Sequence, residues 1–89
     1  MGLLLMSKPP KDGPYVEYYD NGQKKSEGQY KDGKLDGIAT LWYLNGQKEA
    51  EGHFKNGEQD GLTTWWHESG QKAKEAQYKN DVEISRKEF

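Results

Sequence analysis

Asp36-Gly37-Ile38-Ala39-Thr40-Leu41-Trp42-Tyr43-Leu44-Asn45-Gly46-Gln47-Lys48 decides the fold, because its pattern recurs on both sides at one fixed distance. Gly22-Gln23-Lys24, Gly46-Gln47-Lys48 and Gly70-Gln71-Lys72 follow one another every 24 residues. Asp12-Gly13, Asp36-Gly37 and Asp60-Gly61 keep the same interval, as do Tyr30-Lys31, Phe54-Lys55 and Tyr78-Lys79. A period of this length that never slips marks an array in which each unit leans on its neighbours. Three units result, 12–35, 36–59 and 60–83, with 1–11 as an N-terminal cap or half repeat and 84–89 as a C-terminal tail. By the same offset Met6 falls on the Tyr30 position, so Leu3–Met6 reads as the last strand of a half unit that Pro9-Pro10 ends.

Within each unit an aromatic and β-branched run (Tyr15 to Tyr19, Ile38 to Tyr43, Leu62 to Trp66) meets Asn-Gly or Ser-Gly, which reads as a strand followed by a tight turn. Asp20-Asn21-Gly22 suits a three-residue loop, a type I turn closed by Gly in the left-handed conformation. Carried along the strands, that loop pairs Val16 with Ser26 and Pro14 with Gly28. The expected fold is therefore all-β: an elongated six-stranded antiparallel meander of three tandem β-hairpin repeats in a single twisted sheet. Ser69, Ala76 and Asp81 replace residues that are Asn or Gly in the earlier units, so unit three is expected to deviate in its turns.

The composition agrees with a thin, ring-dependent sheet. Only 31% of the 89 residues are apolar, mean hydropathy is −1.23, and net charge is just −2. Aromatics make up 12%, and each ring covers about 150–250 Å², so rings must supply the burial that aliphatics do not. There is no Cys, hence no disulfide framework and no thiolate metal site. An acidic pI near 5.7 with both signs of charge interleaved gives no footprint for nucleic acid and no basic cluster for a membrane. Gly2–Met6 is too short for a signal peptide or a membrane span, and a cytoplasmic location is expected.

Period-two alternation then assigns the faces. The structural face is expected to carry Tyr18/Trp42/Trp66, Pro14/Ile38/Leu62 and Tyr30/Phe54/Tyr78, with Gly28/Gly52/Ala76 and Ser26/Ala50 making room for rings. The opposite face carries Glu27/Glu51/Glu75, Lys31/Lys55/Lys79 and Tyr19/Tyr43/His67. A fold's requirements recur in every unit, whereas a partner's need not, and Glu17/Leu41/Trp65 and Tyr15/Ala39/Thr63 vary most. Tyr19, Leu41, Tyr43, Trp65 and His67 are accordingly the candidate partner-binding residues, an aromatic-apolar strip of hot-spot composition. A second copy covering that strip, or pairing at a sheet edge, is the competing use.

Nothing in the sequence supplies chemistry. His53 and His67 stand 14 residues apart, and no Ser lies in a nucleophile motif. Counting Asp32 as the first position of a calcium loop puts Lys34 and Tyr43 where oxygen donors are required. No catalytic residue, cofactor or metal is expected.

The ordered recurrence of Asp12-Gly13, Tyr18-Tyr19, Asn21-Gly22, Glu27-Gly28 and Tyr30-Lys31-Asp32-Gly33 over residues 12–83 resembles the MORN repeat variant family, including its bacterial YwqK-type antitoxin-like members. The resemblance implies a non-catalytic β-hairpin scaffold that binds a protein, in bacterial members a toxin. Membrane-proximal assembly is the role implied by eukaryotic MORN repeats. Capture of choline or carbohydrate between rings is the alternative that the aromatic content alone suggests.

Overall fold

The computed structural model describes residues 11–89, so the strand expected at Leu3–Met6 lies outside the described residues. The described residues form nine strands: β1 (Gly13–Tyr18), β2 (Lys24–Lys31), β3 (Lys34–Leu35), β4 (Gly37–Trp42), β5 (Lys48–Lys55), β6 (Glu58–Gln59), β7 (Gly61–Trp66), β8 (Lys72–Lys79) and β9 (Val82–Glu88). They make one open antiparallel sheet in the order β1-β2-β4-β5-β7-β8-β9, with β3 paired to β2 and β6 to β5. The Cα trace is a flat body of 34 × 33 × 16 Å.

The six long strands of the repeats are those the sequence implies. Three more arise from their connections. Asp32-Gly33 and Asn56-Gly57 both take left-handed backbone (φ 51° and 79°, 52° and 82°), which turns the chain tightly enough for β3 and β6 to pair back. At Gly37 (φ 107°) the chain kinks, and the ladder to β2 resumes out of step at Ser26↔Leu41 and Glu27↔Thr40. Unit three keeps the same tight turn instead of deviating. Asn80 and Asp81 hold φ of 48° and 69°, and the Asp81 carboxylate accepts the Gln59 N–H at 2.7 Å, offsetting the left-handed strain. The chain beyond is not a loose tail. Ser85 stands where the earlier units have the kinking Gly37 and Gly61, so β9 pairs with β8 from Lys79↔Val82 to Lys74↔Glu88.

The hairpin loop is the expected one: the Tyr19 N–H donates to the Gln23 carbonyl, the Gly22 N–H to the Tyr19 carbonyl, and Gly22 has φ 88°. The register that follows is not. Tyr18 faces Lys24, but Glu17 faces Ser26, so Lys25 has no counterpart and forms a β-bulge; Glu49 and Ala73 repeat it. Val16 thus lies opposite Glu27 and Tyr15 opposite Gly28, not Val16 opposite Ser26 and Pro14 opposite Gly28. One inserted residue moves every side chain of the partner strand to the other face.

The core face therefore combines Tyr30/Phe54/Tyr78, Gly28/Gly52/Ala76 and Ser26/Ala50, as expected, with Tyr15/Ala39/Thr63 and Glu17/Leu41/Trp65, which were expected opposite. Ala39, Ala50, Thr63 and Ala76 are at most 1% exposed, although no second layer covers them among the described residues. Rings and chains lying across them do so: Leu35, Leu41, Phe54 and Trp65 pack on Ala39 and Ala50, and Tyr15 meets Tyr30 edge-on at 6.5 Å. Pro14, Ile38 and Leu62, with Tyr18, Trp42 and Trp66, lie on the reverse. Ile38 at 51% and Tyr18 at 60% exposure are no core residues.

Trp65→Ala should lower stability by about 3 kcal/mol, because its ring packs on the core alanines, and Trp42→Ala by only about 1 kcal/mol for a half-covered ring; paired urea melts check the ranking. Gly46→Val should also cost about 2 kcal/mol, since Gly46 has φ 90° and a Cβ there would meet the Gln23 Oε1 at 2.9 Å. Thermal unfolding of that variant checks the loop.

Candidate functional site

The bulge sets the chemistry of the reverse face. It turns Lys24, Lys48 and Lys72 to the same side as the glutamates three residues on, giving Lys24–Glu27, Lys48–Glu51 and Lys72–Glu75 pairs of 3.2, 3.0 and 2.9 Å. Each ammonium also lies over a ring of the following unit: Lys24 over Trp42 at 5.6 Å, Lys48 over Trp66 at 5.8 Å, and Lys72 over Phe89 at 5.9 Å. Phe89 thus stands under Lys72 as Trp42 and Trp66 stand under Lys24 and Lys48. Thr40 donates from Oγ1 to Glu51 at 3.0 Å. This lysine face is laced with internal polar contacts, and its Trp rings are already occupied by cations of the chain itself.

The five candidate residues sort into two roles. Leu41 and Trp65 flank Ala50 directly on the core face, each half-buried. Lys74, the cross-strand partner of Trp65, sets its ammonium 4.1 Å from the indole centroid. Tyr19 and Tyr43 end the strands beside them and act as staples between units: their hydroxyls donate to the Trp42 and Trp66 carbonyls, both at 2.7 Å. His67 holds the same place in unit three, is exposed, and has no later unit to reach among the described residues. Leu41 and Trp65 thus form the centre of an apolar surface whose remaining rings are Tyr15, Tyr30, Phe54 and Tyr78.

Sequence reasoning grouped Leu41 and Trp65 correctly but placed them opposite the core. The signal that would have placed them is the threefold Lys-x-x-Glu spacing. In a regular strand those residues point to opposite faces, so their recurrence implies an extra residue between them.

Among the described residues no group of three or more His, Asp or Glu side chains is placed to hold a metal ion. His53 directs Nδ1 at the Leu62 carbonyl, 3.0 Å away, a contact that joins two units. Every buried side-chain nitrogen or oxygen among the described residues has a hydrogen-bond partner, so none is left aimed at a missing ligand. The clefts are shallow, such as one of about 420 Å³ between Gln29, Ile38 and Thr40.

Stacked hairpins tied by recurring side chains are what a tandem repeat array displays. The model of the MORN repeat variant matches three times, at residues 11–32, 35–56 and 59–80. The chain belongs to the MORN repeat variant family. No curated protein sequence matches it. Within this MORN-type array the matched segments contain the hairpin loops, the bulges and both tyrosine staples.

Tyr43→Phe removes a staple while keeping the ring, and should cost about 1 kcal/mol by leaving the Trp66 carbonyl without its donor. His67→Ala should change stability by less than about 0.5 kcal/mol. Burial, then Glu49 and Glu68, raises the Tyr43 phenol above its ordinary value; burial leads at Tyr30 and Tyr78 as well. A folded value above the unfolded one, about 10, means full stability below that pH and loss as pH rises through the folded value. Urea midpoints across that alkaline range should fall, and fall less steeply for Tyr43→Phe.

Proposed function

We propose that the chain is a non-catalytic repeat scaffold that binds a protein partner on the core face, around Leu41, Phe54 and Trp65. One observation carries the reading: in a single-layer sheet, the face that holds the fold together is also left half-open, with rings at its surface. A flat, ring-lined surface fits a protein better than a small molecule, which would need an enclosing cleft. The row Glu17/Leu41/Trp65, which varies between units, lies half-buried on this face and gives it an uneven relief that a matching protein surface can read. Neutralisation of a toxin is one form of this reading and rests on the family resemblance. Capture of choline or carbohydrate is disfavoured, because Lys24 and Lys48 lie over the Trp42 and Trp66 rings such a ligand would use.

Affinity capture from source lysate with wild type, Lys74→Glu and Tyr18→Ala tests this. Lys74→Glu removes the cation over Trp65 and puts an acid on the core face, whereas Tyr18 lies on the lysine face. The expected result is one specific protein retained by wild type and Tyr18→Ala and lost by Lys74→Glu with circular dichroism unchanged. Loss by Tyr18→Ala alone, or a Trp fluorescence shift on choline or oligosaccharide titration, would overturn it.

A further inference from the structure

We infer that the partner on the core face is a second copy of this chain, stacked face to face about a two-fold axis that runs along the strands. This rests on the reading above and names the occupant of that same face.

One row of cross-strand neighbours crosses the core face: Glu17, Ser26, Leu41, Ala50, Trp65 and Lys74, each paired with the next. Direct cross-strand neighbours share a face, so the row begins in an acid, ends in a base, and carries no charge between. At about 4.8 Å per strand its two ends stand about 24 Å apart, well beyond the reach of screened charges in salt solution. Lys74 has no ion pair among the described residues; its ammonium rests on the Trp65 ring at 4.1 Å. On the reverse face, by contrast, Lys24, Lys48 and Lys72 each hold a glutamate. A carboxylate from another molecule is what Lys74 is placed to take.

Opposite charges at the two ends of an otherwise uncharged row are what a two-fold axis can pair. Placed between β4 and β5, midway along the row, the axis sets Glu17 opposite the partner's Lys74 and Lys74 opposite the partner's Glu17. The same operation brings Trp65 over the partner's Ser26 and Leu41 over the partner's Ala50, so the large side chains of the row do not meet head-on. Rotation about the strand direction also returns a twisted sheet with its twist unchanged, which keeps the two faces parallel at the roughly 10 Å spacing of a β-sandwich. β9 then lies past the partner's β1, and its Glu83–Arg86–Glu88 cluster takes no part in the contact. The 34 × 33 Å extents give a face of about 1,100 Å², against about 800 Å² per partner in a stable interface. An apolar centre with charges at its margins has the anatomy of such an interface.

Light scattering across a concentration series, on wild type, Glu17→Lys, Lys74→Glu, an equimolar mixture of those two variants, and Tyr18→Ala, tests the inference. Wild-type mass should rise from 10.2 kDa toward twice that value. Either single reversal sets like charges opposite one another at both ends of the row and should weaken association by about tenfold or more. The mixture should recover it, because each variant supplies the charge the other lacks. Within one chain the two sites are too far apart to interact, so that recovery can come only through contact between chains. Tyr18→Ala alters the lysine face and should leave the mass series unchanged. A wild-type mass fixed at 10.2 kDa, single reversals that associate as wild type does, dissociation by Tyr18→Ala, or a mixture that stays monomeric with both variants folded by circular dichroism would each overturn the inference. A monomeric wild type that still captures a different protein through Lys74 from lysate sinks this inference alone; if that capture also fails, the reading of the core face falls with it.

Discussion

One unmatched residue in each second strand, Lys25, Glu49 and Ala73, governs the rest of this molecule. Without the bulge, β1, β4 and β7 would present Ile38, Trp42 and Trp66 on the side where the small residues of β2, β5 and β8 lie. With it, Ala39 and Thr63 meet Gly52 and Ala76, while Leu41 and Trp65 meet Ala50 and Lys74. Small faces small at the centre and large side chains lie across from beside them. A sheet with no second layer can exclude water only in this way, by folding its own rings over narrow residues. The bulge also creates the lysine face, since it turns each Lys toward its Glu and toward a ring of the next unit.

The bonds between units follow the same logic of replacing thickness with repetition. Tyr19 and Tyr43 span a unit boundary through their hydroxyls, and the turn glycines Gly33 and Gly57 donate to the Lys11 and Leu35 carbonyls of the unit before. Asn45 reaches the Glu68 carbonyl of the following loop. Each tie is nearest-neighbour, so stability accrues unit by unit. In unit three His67 lacks the hydroxyl, and within the turn Ser69 holds the Gln71 N–H at 3.5 Å where Asn45 holds the Gln47 N–H at 2.9 Å. β9 compensates by pairing along nearly the whole of β8.

How much of this was legible in the sequence depends on how local the physics is. The period, the strands and the hairpin loops are written in short-range chemistry: Gly at positive φ, Asn bonding its own turn, rings clustered in extended runs. The short strands β3 and β6 were missed because Asp32-Gly33 and Asn56-Gly57 read equally well as part of a loose connection. The face of β4 was misread because Ile38 and Trp42 outweigh Ala39 and Leu41 in any count of apolar bulk. Register is a property of two strands, and a single extra residue, invisible in composition, reverses it. Leu41 and Trp65 still share one face because they were chosen by their variation between units, which does not depend on the side to which they point.

The consequence for function is that fold and recognition draw on the same side chains. Truncating Trp65 must loosen the packing on Ala39 and Ala50 whatever else it does, so loss of binding by that change alone would say little about contact. Lys74 is different, since its ammonium lies 4.1 Å from the indole centroid and replacing it changes the charge beside Trp65 without truncating the ring. A single-layer scaffold can alter its recognition most cheaply at such outer positions and at the rows that differ between units, while Tyr30, Phe54 and Tyr78 keep the array standing. The pattern of variation within this one chain, aromatic throughout at Tyr30, Phe54 and Tyr78 and uneven at Glu17, Leu41 and Trp65, has that form.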